Sequence, residues 1–291
     1  MTEIRSVAVL GAGTMGCGIA QVAALGGFAT HLYDLDGEVL MRARAAIERQ
    51  LARGVELGKV ESAAAATALG RLSLAAKIAN AVAEADLVIE AVPESLAAKL
   101  ALFAEVVRHA PAGAFLASNT SALSITEMAA ASGRPERFAG LHFFNPAHVM
   151  RLVELVRGLE TSDATVAVLR AAAERMGKEV VVVRDVPGFA TSRINALVGN
   201  EAFRMLEQGV ASAEEIDRAV RLGLNHPMGP FEMVDLVGLD TRLAILEHLH
   251  ATLGEAFRPT NLQRQFVQAG RLGRKSGRGI YRYDEQGRRL P

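Results

Sequence analysis

Up to about residue 185 the chain alternates short apolar runs with longer stretches of helical periodicity. The runs "SVAVL" (6–10), "ATHLY" (29–33), "RLSLA" (71–75), "DLVIEAV" (86–92), "AFLAS" (114–118), "FAGLHFF" (138–144), "RLVELV" (151–156) and "EVVVV" (179–183) read as strands. Strands separated by helix-length segments imply βαβ units and a mainly parallel sheet. After "RDVPGF" the β-branched runs vanish and helical patterning continues to about residue 270. "SAEE" (212–215) predicts a capping box, with Ser212 as cap and Glu215 three residues on. Pro230 suits a helix start. These patterns predict a boundary near Pro187-Gly188, with an α/β Rossmann-type domain over 1–187 and an all-helical domain over 188–291.

Between the second and third runs, residues 37–59 predict an amphipathic helix. Leu40, Ile47, Leu51 and Val55 share one face, and Arg42, Arg49 and Arg53 fall on the other. With the Ala-rich stretch 61–70 this predicts a helical hairpin over about 37–70.

Composition narrows the function classes. Lys plus Arg equals Asp plus Glu at 32 each, so the net charge is near zero. That argues against a broad nucleic-acid or anionic-membrane surface, while leaving room for a small phosphate patch. No run of roughly 18 uncharged apolar residues predicts a membrane span. The N-terminus is a poor signal peptide. A single cysteine, Cys17, allows no internal disulfide and fits a reducing, cytoplasmic setting. Within a helical stretch it reads as a small packing residue. No metal-ligand set is expected.

The strongest motif is a strand running into Gly11-x-Gly13-x-x-Gly16, then a helix, then a second strand ending at Asp34. Gly11 permits the tight turn, Gly13 lets a pyrophosphate approach the backbone, and Gly16 lets the helix pack close to the strand. The helix N-terminus offers free N–H groups to phosphates, which makes Gly11, Gly13, Thr14, Met15 and Gly16 the candidate cofactor residues. Asp34 lies 18 residues beyond Gly16, where a carboxylate binds ribose hydroxyls and repels a 2′-phosphate. The expected cofactor is therefore NAD.

A second constellation sits in "GLHFFNPAHVMRLVELVRG" (140–158). If its two strand-like halves pair antiparallel about position 148, His142 faces Glu154 on one side of the sheet. A carboxylate against an imidazole fixes its tautomer and stabilises the imidazolium, which is how a base for an alcohol proton is built. Spacing alone leaves a catalytic base and a satisfied core histidine both open. His148, at the loop tip, reads as a surface histidine. His31, His109, His226, His248 and His250 show no comparable acid partner in the sequence.

Taken together, "GAGTMGCGIAQ", "ASNTSALSIT", "GLHFFNPAHVMRLVELVRG", "VPGFATSRI", "GLNHPMGPFEMVDLVGLD" and "GRLGRKSGRGIY", in this order, resemble the L-3-hydroxyacyl-CoA dehydrogenase family nearly end to end. The resemblance implies NAD-dependent oxidation of a short (S)-3-hydroxyacyl-CoA, such as 3-hydroxybutyryl-CoA, to the 3-oxoacyl-CoA. It implies His142 as base, Glu154 as its partner and Ser121 in contact with substrate and cofactor. Glu94, Lys99, Asn119, Asn145 and Lys275 would line the dinucleotide site. Arg53 and Lys59 would hold CoA, and the helical domain would form a homodimer.

Two positions depart from the family pattern. His148 replaces a proline. Ser192 replaces the catalytic-site asparagine of "PGF-x-x-N-R", with Asn195 three residues on along the same helix face. Ser192 is carried as a candidate catalytic residue with shorter reach than an amide. "GRLGRKSGRG" (270–279) fails the P-loop spacing and reads as a basic loop carrying Lys275. Competing readings are a hydroxy-acid dehydrogenase acting on a free, gulonate-type acid, a 3-hydroxyadipyl-CoA dehydrogenase, and a non-catalytic Rossmann-fold binding or structural protein.

Overall fold

In the computed structural model, which describes residues 3–290, the apolar runs form one eight-stranded sheet in the order β3-β2-β1-β4-β5-β6-β7-β8. The elements of this unit, in chain order, are β1 (Ser6–Leu10), α1 (Thr14–Leu25), β2 (Ala29–Tyr33), α2 (Gly37–Glu56), α3 (Ser62–Arg71), β3 (Leu72–Ala75), α4 (Ile78–Val82), β4 (Leu87–Glu90), α5 (Leu96–His109), β5 (Phe115–Ser118), α6 (Ile125–Ala131), β6 (Phe138–Phe143), β7 (Leu152–Arg157), α7 (Asp163–Arg175) and β8 (Glu179–Arg184). The chain divides into two units after Val186.

β1, β2, β3, β4, β5 and β6 are mutually parallel, and β7 and β8 run against them. Strand order reverses between β1 and β4. That is the switch point where open α/β sheets leave a crevice at their carboxyl ends. Val7, Val9, Leu32, Leu87 and Ile89 are fully buried, as strands covered by helices on both faces require. The hairpin β6–β7 has the predicted register, with His142 opposite Glu154 and Leu141 opposite Leu155.

Boundaries shift where side chains intervene. The run 86–92 predicts a strand through Val92, but β4 stops at Glu90. The Val92 N–H turns onto the Glu90 carboxylate at 2.7 Å, which takes the backbone out of the ladder.

α2 buries Leu40, Ile47 and Leu51 and is capped by Asp36, whose Oδ1 accepts from the Glu38 N–H at 2.8 Å. Such a cap satisfies a donor that the first helical turn leaves orphaned. Arg42 and Arg53 face solvent, each paired with a glutamate of its own helix.

The second unit holds α8 (Thr191–Glu207), α9 (Ala213–Gly223), α10 (Pro230–Val237), α11 (Leu239–Leu253) and α12 (Asn261–Gln268). Ser212 caps α9, accepting from the Glu215 N–H at 3.3 Å. Pro230 opens α10, with Glu232 accepting from the Gly229 N–H at 2.9 Å. Phe203, Phe231 and Leu239 form its core with Tyr281 and Tyr283. Two buried carboxylates staple the tail to the helices. Asp217 accepts from the Tyr281 hydroxyl, and Asp235 accepts from the Ile280 and Tyr281 N–H groups and the Tyr283 hydroxyl. Among the described residues, no helix is long and apolar enough to cross a membrane.

Candidate active site

The carboxyl end of β1 meets the mechanical demands of a phosphate-binding turn. Gly11 has φ +101°, and a Cβ there would lie 2.7 Å from the Ala91 carbonyl oxygen. A Cβ on Gly16 would lie 1.7 Å from the Gly11 oxygen, so α1 can pack this close only with glycine. A Cβ on Gly13 would meet nothing within 4 Å. Steric demand within the protein therefore explains two glycines, and the third faces open space at the N-terminus of α1. The first intrahelical bond runs from Cys17 N–H to Gly13 O. The N–H groups of Thr14, Met15 and Gly16 precede it, and Gly13 has no side chain with which to cap them.

Asp34, just past β2, accepts from the Ala12 N–H at 2.7 Å and the Asp36 N–H at 3.1 Å. Each oxygen keeps a further lone pair for a ribose hydroxyl. This set fits an adenine dinucleotide: amide donors for the pyrophosphate, clearance at Gly13 and an acceptor for the ribose. Cys17 packs inside α1, and burial pushes its thiol up, away from the reactive thiolate.

Three strands further along the sheet, β6 and β7 bring His142 and Glu154 together. Both are buried, with His142 Nδ1 2.8 Å from Glu154 Oε2. The carboxylate accepts from Nδ1, so the Nε2 lone pair is left for chemistry. Nε2 points to Ser121 Oγ at 3.1 Å. The Phe144 ring lies against the imidazole, centroids 4.4 Å apart. The arrangement is an imidazole with an acid on one nitrogen and a hydroxyl on the other, the geometry that a general base requires.

The loop after β5 is held in several places. The Ser121 N–H donates to Glu94 Oε1 at 2.9 Å, and the Thr120 hydroxyl donates to the same oxygen. Asn119 Oδ1 accepts from the Phe143 N–H at 2.8 Å, tying this loop to the residue after His142. Asn145 is exposed in the β6–β7 connection. Among the described residues, no cluster of three or more His, Cys, Asp or Glu is arranged to hold a metal ion.

The structure revises several expectations. Lys99, expected on the cofactor, is fully buried. Its ammonium lies 2.6 Å from Glu90 and 3.3 Å from Glu94. His148, expected at an exposed tip, is half-buried above Lys178. Burial lowers its imidazole pKa first, and the Lys178 charge lowers it further. Lys178 itself donates to the Ala147 and Met150 carbonyls at 2.5 and 2.9 Å, holding the connection between the two halves of the pair. Asn195, a possible stand-in for the missing asparagine, accepts from Arg242 at 2.6 Å, so its carbonyl is engaged. Ser192 lies half-buried in the first turn of α8.

Lys275 pairs with Asp240 at 2.6 Å in a short turn of the second unit. Arg53 is exposed on Glu56 at 2.8 Å, and Lys59 is exposed. His109 and His250 do have acidic partners, Glu105 and Glu255, but these pairs are largely solvent-exposed. Sequence reasoning missed Glu90, whose only signal was an acid inside the apolar run "DLVIEAV".

The chain matches two family models, "3-hydroxyacyl-CoA dehydrogenase, NAD binding domain" over residues 6–186 and "3-hydroxyacyl-CoA dehydrogenase, C-terminal domain" over residues 188–283. It is 46% identical over 285 residues to a protein of Bacillus subtilis named probable 3-hydroxybutyryl-CoA dehydrogenase, covering 98% of this chain and 99% of that one. It is 44% identical over 283 residues to the 3-hydroxyadipyl-CoA dehydrogenase of Escherichia coli, covering 97% of this chain and 59% of that protein. The solved (S)-3-hydroxybutyryl-CoA dehydrogenase of Ralstonia eutropha superposes with a TM-score of 0.93 at 42% identity, over 97% of this chain and all of that one.

Proposed function

The chain belongs to the 3-hydroxyacyl-CoA dehydrogenase family of oxidoreductases, and we propose that it oxidises a short (S)-3-hydroxyacyl-CoA to the 3-oxoacyl-CoA with His142 as base. The observation that carries this reading is the bonded series Glu154–His142–Ser121, buried at one nitrogen and open to a hydroxyl at the other. Bound NAD would supply the hydride acceptor. As the hydride leaves C3, the hydroxyl proton must leave as well, and His142 Nε2 is the lone pair placed to take it. Glu154 holds the ring and offsets the charge it gains. Ser121 Oγ, on the same nitrogen, marks where the substrate oxygen sits. In the reverse direction the imidazolium returns the proton.

For the cofactor, Gly11, Gly13, Thr14, Met15 and Gly16 would hold the pyrophosphate and Asp34 the ribose. Asn119, Asn145 and Glu94 would serve the rest of the molecule. Two measurements check this assignment. Gly13→Ala keeps the melting temperature close to wild type, because its Cβ enters open space. It abolishes most of the NAD-induced rise in melting temperature that ligand linkage produces. An undiminished rise contradicts the site. Asp34 repels a 2′-phosphate, so kcat/KM with NADP falls at least about 10²-fold below that with NAD, the size of a few kcal/mol of lost binding. Equal values contradict the role of Asp34.

The exposed arginine face of α2, Arg53 included, and Lys59 beyond its end would supply cations for CoA phosphates. The similarity to a 3-hydroxyadipyl-CoA dehydrogenase keeps a dicarboxylic acyl chain as a second reading. Assaying NADH formation across 3-hydroxyacyl-CoA lengths, with 3-hydroxyadipyl-CoA and free 3-hydroxybutyrate alongside, separates the readings. Turnover of the C4 thioester and little of the free acid is expected, and preference for the free acid overturns the proposal. The second unit exposes Ile194, Val210, Leu222 and Leu224, which supports a homodimer through the helical domain. A cytoplasmic setting suits the lone buried Cys17.

A further inference from the structure

Beneath the site lies a buried ion pair, Glu90 with Lys99, that the mechanism above does not use. Glu90 ends β4 and is fully buried between β1 and β5. Its Oε1 accepts from Lys99 Nζ at 2.6 Å and from the Val92 N–H at 2.7 Å, and its Oε2 accepts from the Ser118 hydroxyl at 2.5 Å. Lys99, fully buried on α5, also reaches Glu94 Oε2 at 3.3 Å. Glu94 is half-exposed, and its other oxygen takes the Thr120 hydroxyl and the Ser121 N–H. Ser121 Oγ closes the series on His142 Nε2.

Burying an ion pair so completely is costly and stabilises little beyond what apolar side chains of equal volume would. Its presence at a switch-point strand end therefore asks for a reason other than stability. The Lys99 ammonium bonds both carboxylates, so it ties the half-exposed Glu94 to the buried Glu90 through the oxygen that Thr120 and Ser121 do not use. Burial pushes the Glu90 carboxyl up, and the Lys99 charge and three hydrogen bonds pull it back toward the ionised form.

We propose that Glu90 and Lys99 are positioning residues: they hold Glu94, Glu94 holds the Thr120–Ser121 backbone, and Ser121 Oγ thereby stays on His142 Nε2. The proposal rests on His142 being the base.

The test uses the paired variant Glu90→Gln/Lys99→Met in the full-length protein. Counted by formal charge, two carboxylates and one ammonium leave the cluster at minus one. The paired variant keeps that charge on Glu94, so a change in rate reports position and not field. Replacing a buried ion pair by neutral groups is tolerated for folding, and a melting curve checks this. The expected result is a fall in kcat of about 10- to 100-fold, the scale of misplacing a reacting group by a fraction of an ångström to an ångström. In a Ser121→Ala background the same change costs less than about twofold, because residues acting through one another are not additive. The ring ¹⁵N resonances of His142 in the cofactor-free protein shift in the paired variant in the direction seen with Ser121→Ala.

Glu94→Gln, at a half-exposed position, repeats the cycle should the paired variant fail to fold. An unchanged kcat, or the same loss in both backgrounds, overturns the relay. Absence of wild-type turnover on any 3-hydroxyacyl-CoA would fail the underlying reading instead, and wild-type turnover with an additive cycle fails the relay alone.

Discussion

His142→Gln lowers kcat by at least about 10²-fold, the usual contribution of a positioned general base, while NAD binding stays near wild type. The amide of Gln fills much of the imidazole volume and can hydrogen-bond Glu154, so the packing of β6 against β7 survives. It has no lone pair basic enough to take an alcohol proton at neutral pH. The glycine turn and Asp34 stand at β1 and β2, with β4 and β5 between them and β6, so cofactor binding measured by calorimetry is preserved. Substrate KM changes little, because the loss falls on a proton that moves only in the transition state. Near-wild-type turnover in this variant contradicts the assignment of His142, and joint loss of turnover and NAD binding points to a folding defect that a melting curve would expose.

Glu154→Gln has an effect of comparable size for a different reason. The Glu154 carboxylate can only accept, so it holds the proton on Nδ1 and leaves Nε2 as the acceptor that faces Ser121 Oγ. A Gln amide in the same place can donate to Nδ1, which moves the ring proton to Nε2. The base then presents an N–H where it needs a lone pair. An orienting acid changed to its amide in this way costs up to about 10⁴-fold in kcat in the serine-protease triad, and about 10³-fold or more is expected here. The variant also loses the carboxylate that offsets the imidazolium, so the loss does not recover when substrate is saturating. A fall of less than about tenfold contradicts the tautomer argument, since general base catalysis would then be running without its orienting group.

What could be read from the chain follows from which forces act locally. The hairpin register was legible because side chains alternate with a period of two and one turn centre fixes every partner, so His142 had to face Glu154. The glycine turn was legible because Gly11 and Gly16 answer backbone demands and Gly13 leaves room for a ligand. The structure supplies those demands as a carbonyl 2.7 Å from a Gly11 Cβ and 1.7 Å from a Gly16 Cβ. Helix starts at Ser212 and Pro230 were legible for the same reason.

Long, flexible side chains were not legible. Lys99 on a helix reads as a solvated or ligand-facing cation, but four methylenes let it reach two carboxylates from different segments. Lys178 reaches two carbonyls of the β6–β7 connection in the same manner. Asn195 looked free to act until Arg242, distant in sequence, took its carbonyl. The contacts of Lys178 and Asn195 join segments far apart in the chain, and Lys99 folds back from its helix onto the strand before it, which no periodicity encodes.

The central claim is that the hydride leaves C3 of a 3-hydroxyacyl thioester as His142 takes the hydroxyl proton. The most direct measurement follows (S)-3-hydroxybutyryl-CoA carrying deuterium at C3. Mass spectrometry of the reduced nicotinamide from the wild-type protein should find one deuterium for each 3-oxoacyl-CoA formed, with its formation suppressed in His142→Gln. Reduced nicotinamide lacking the label, or label transfer undiminished in His142→Gln, would contradict the account.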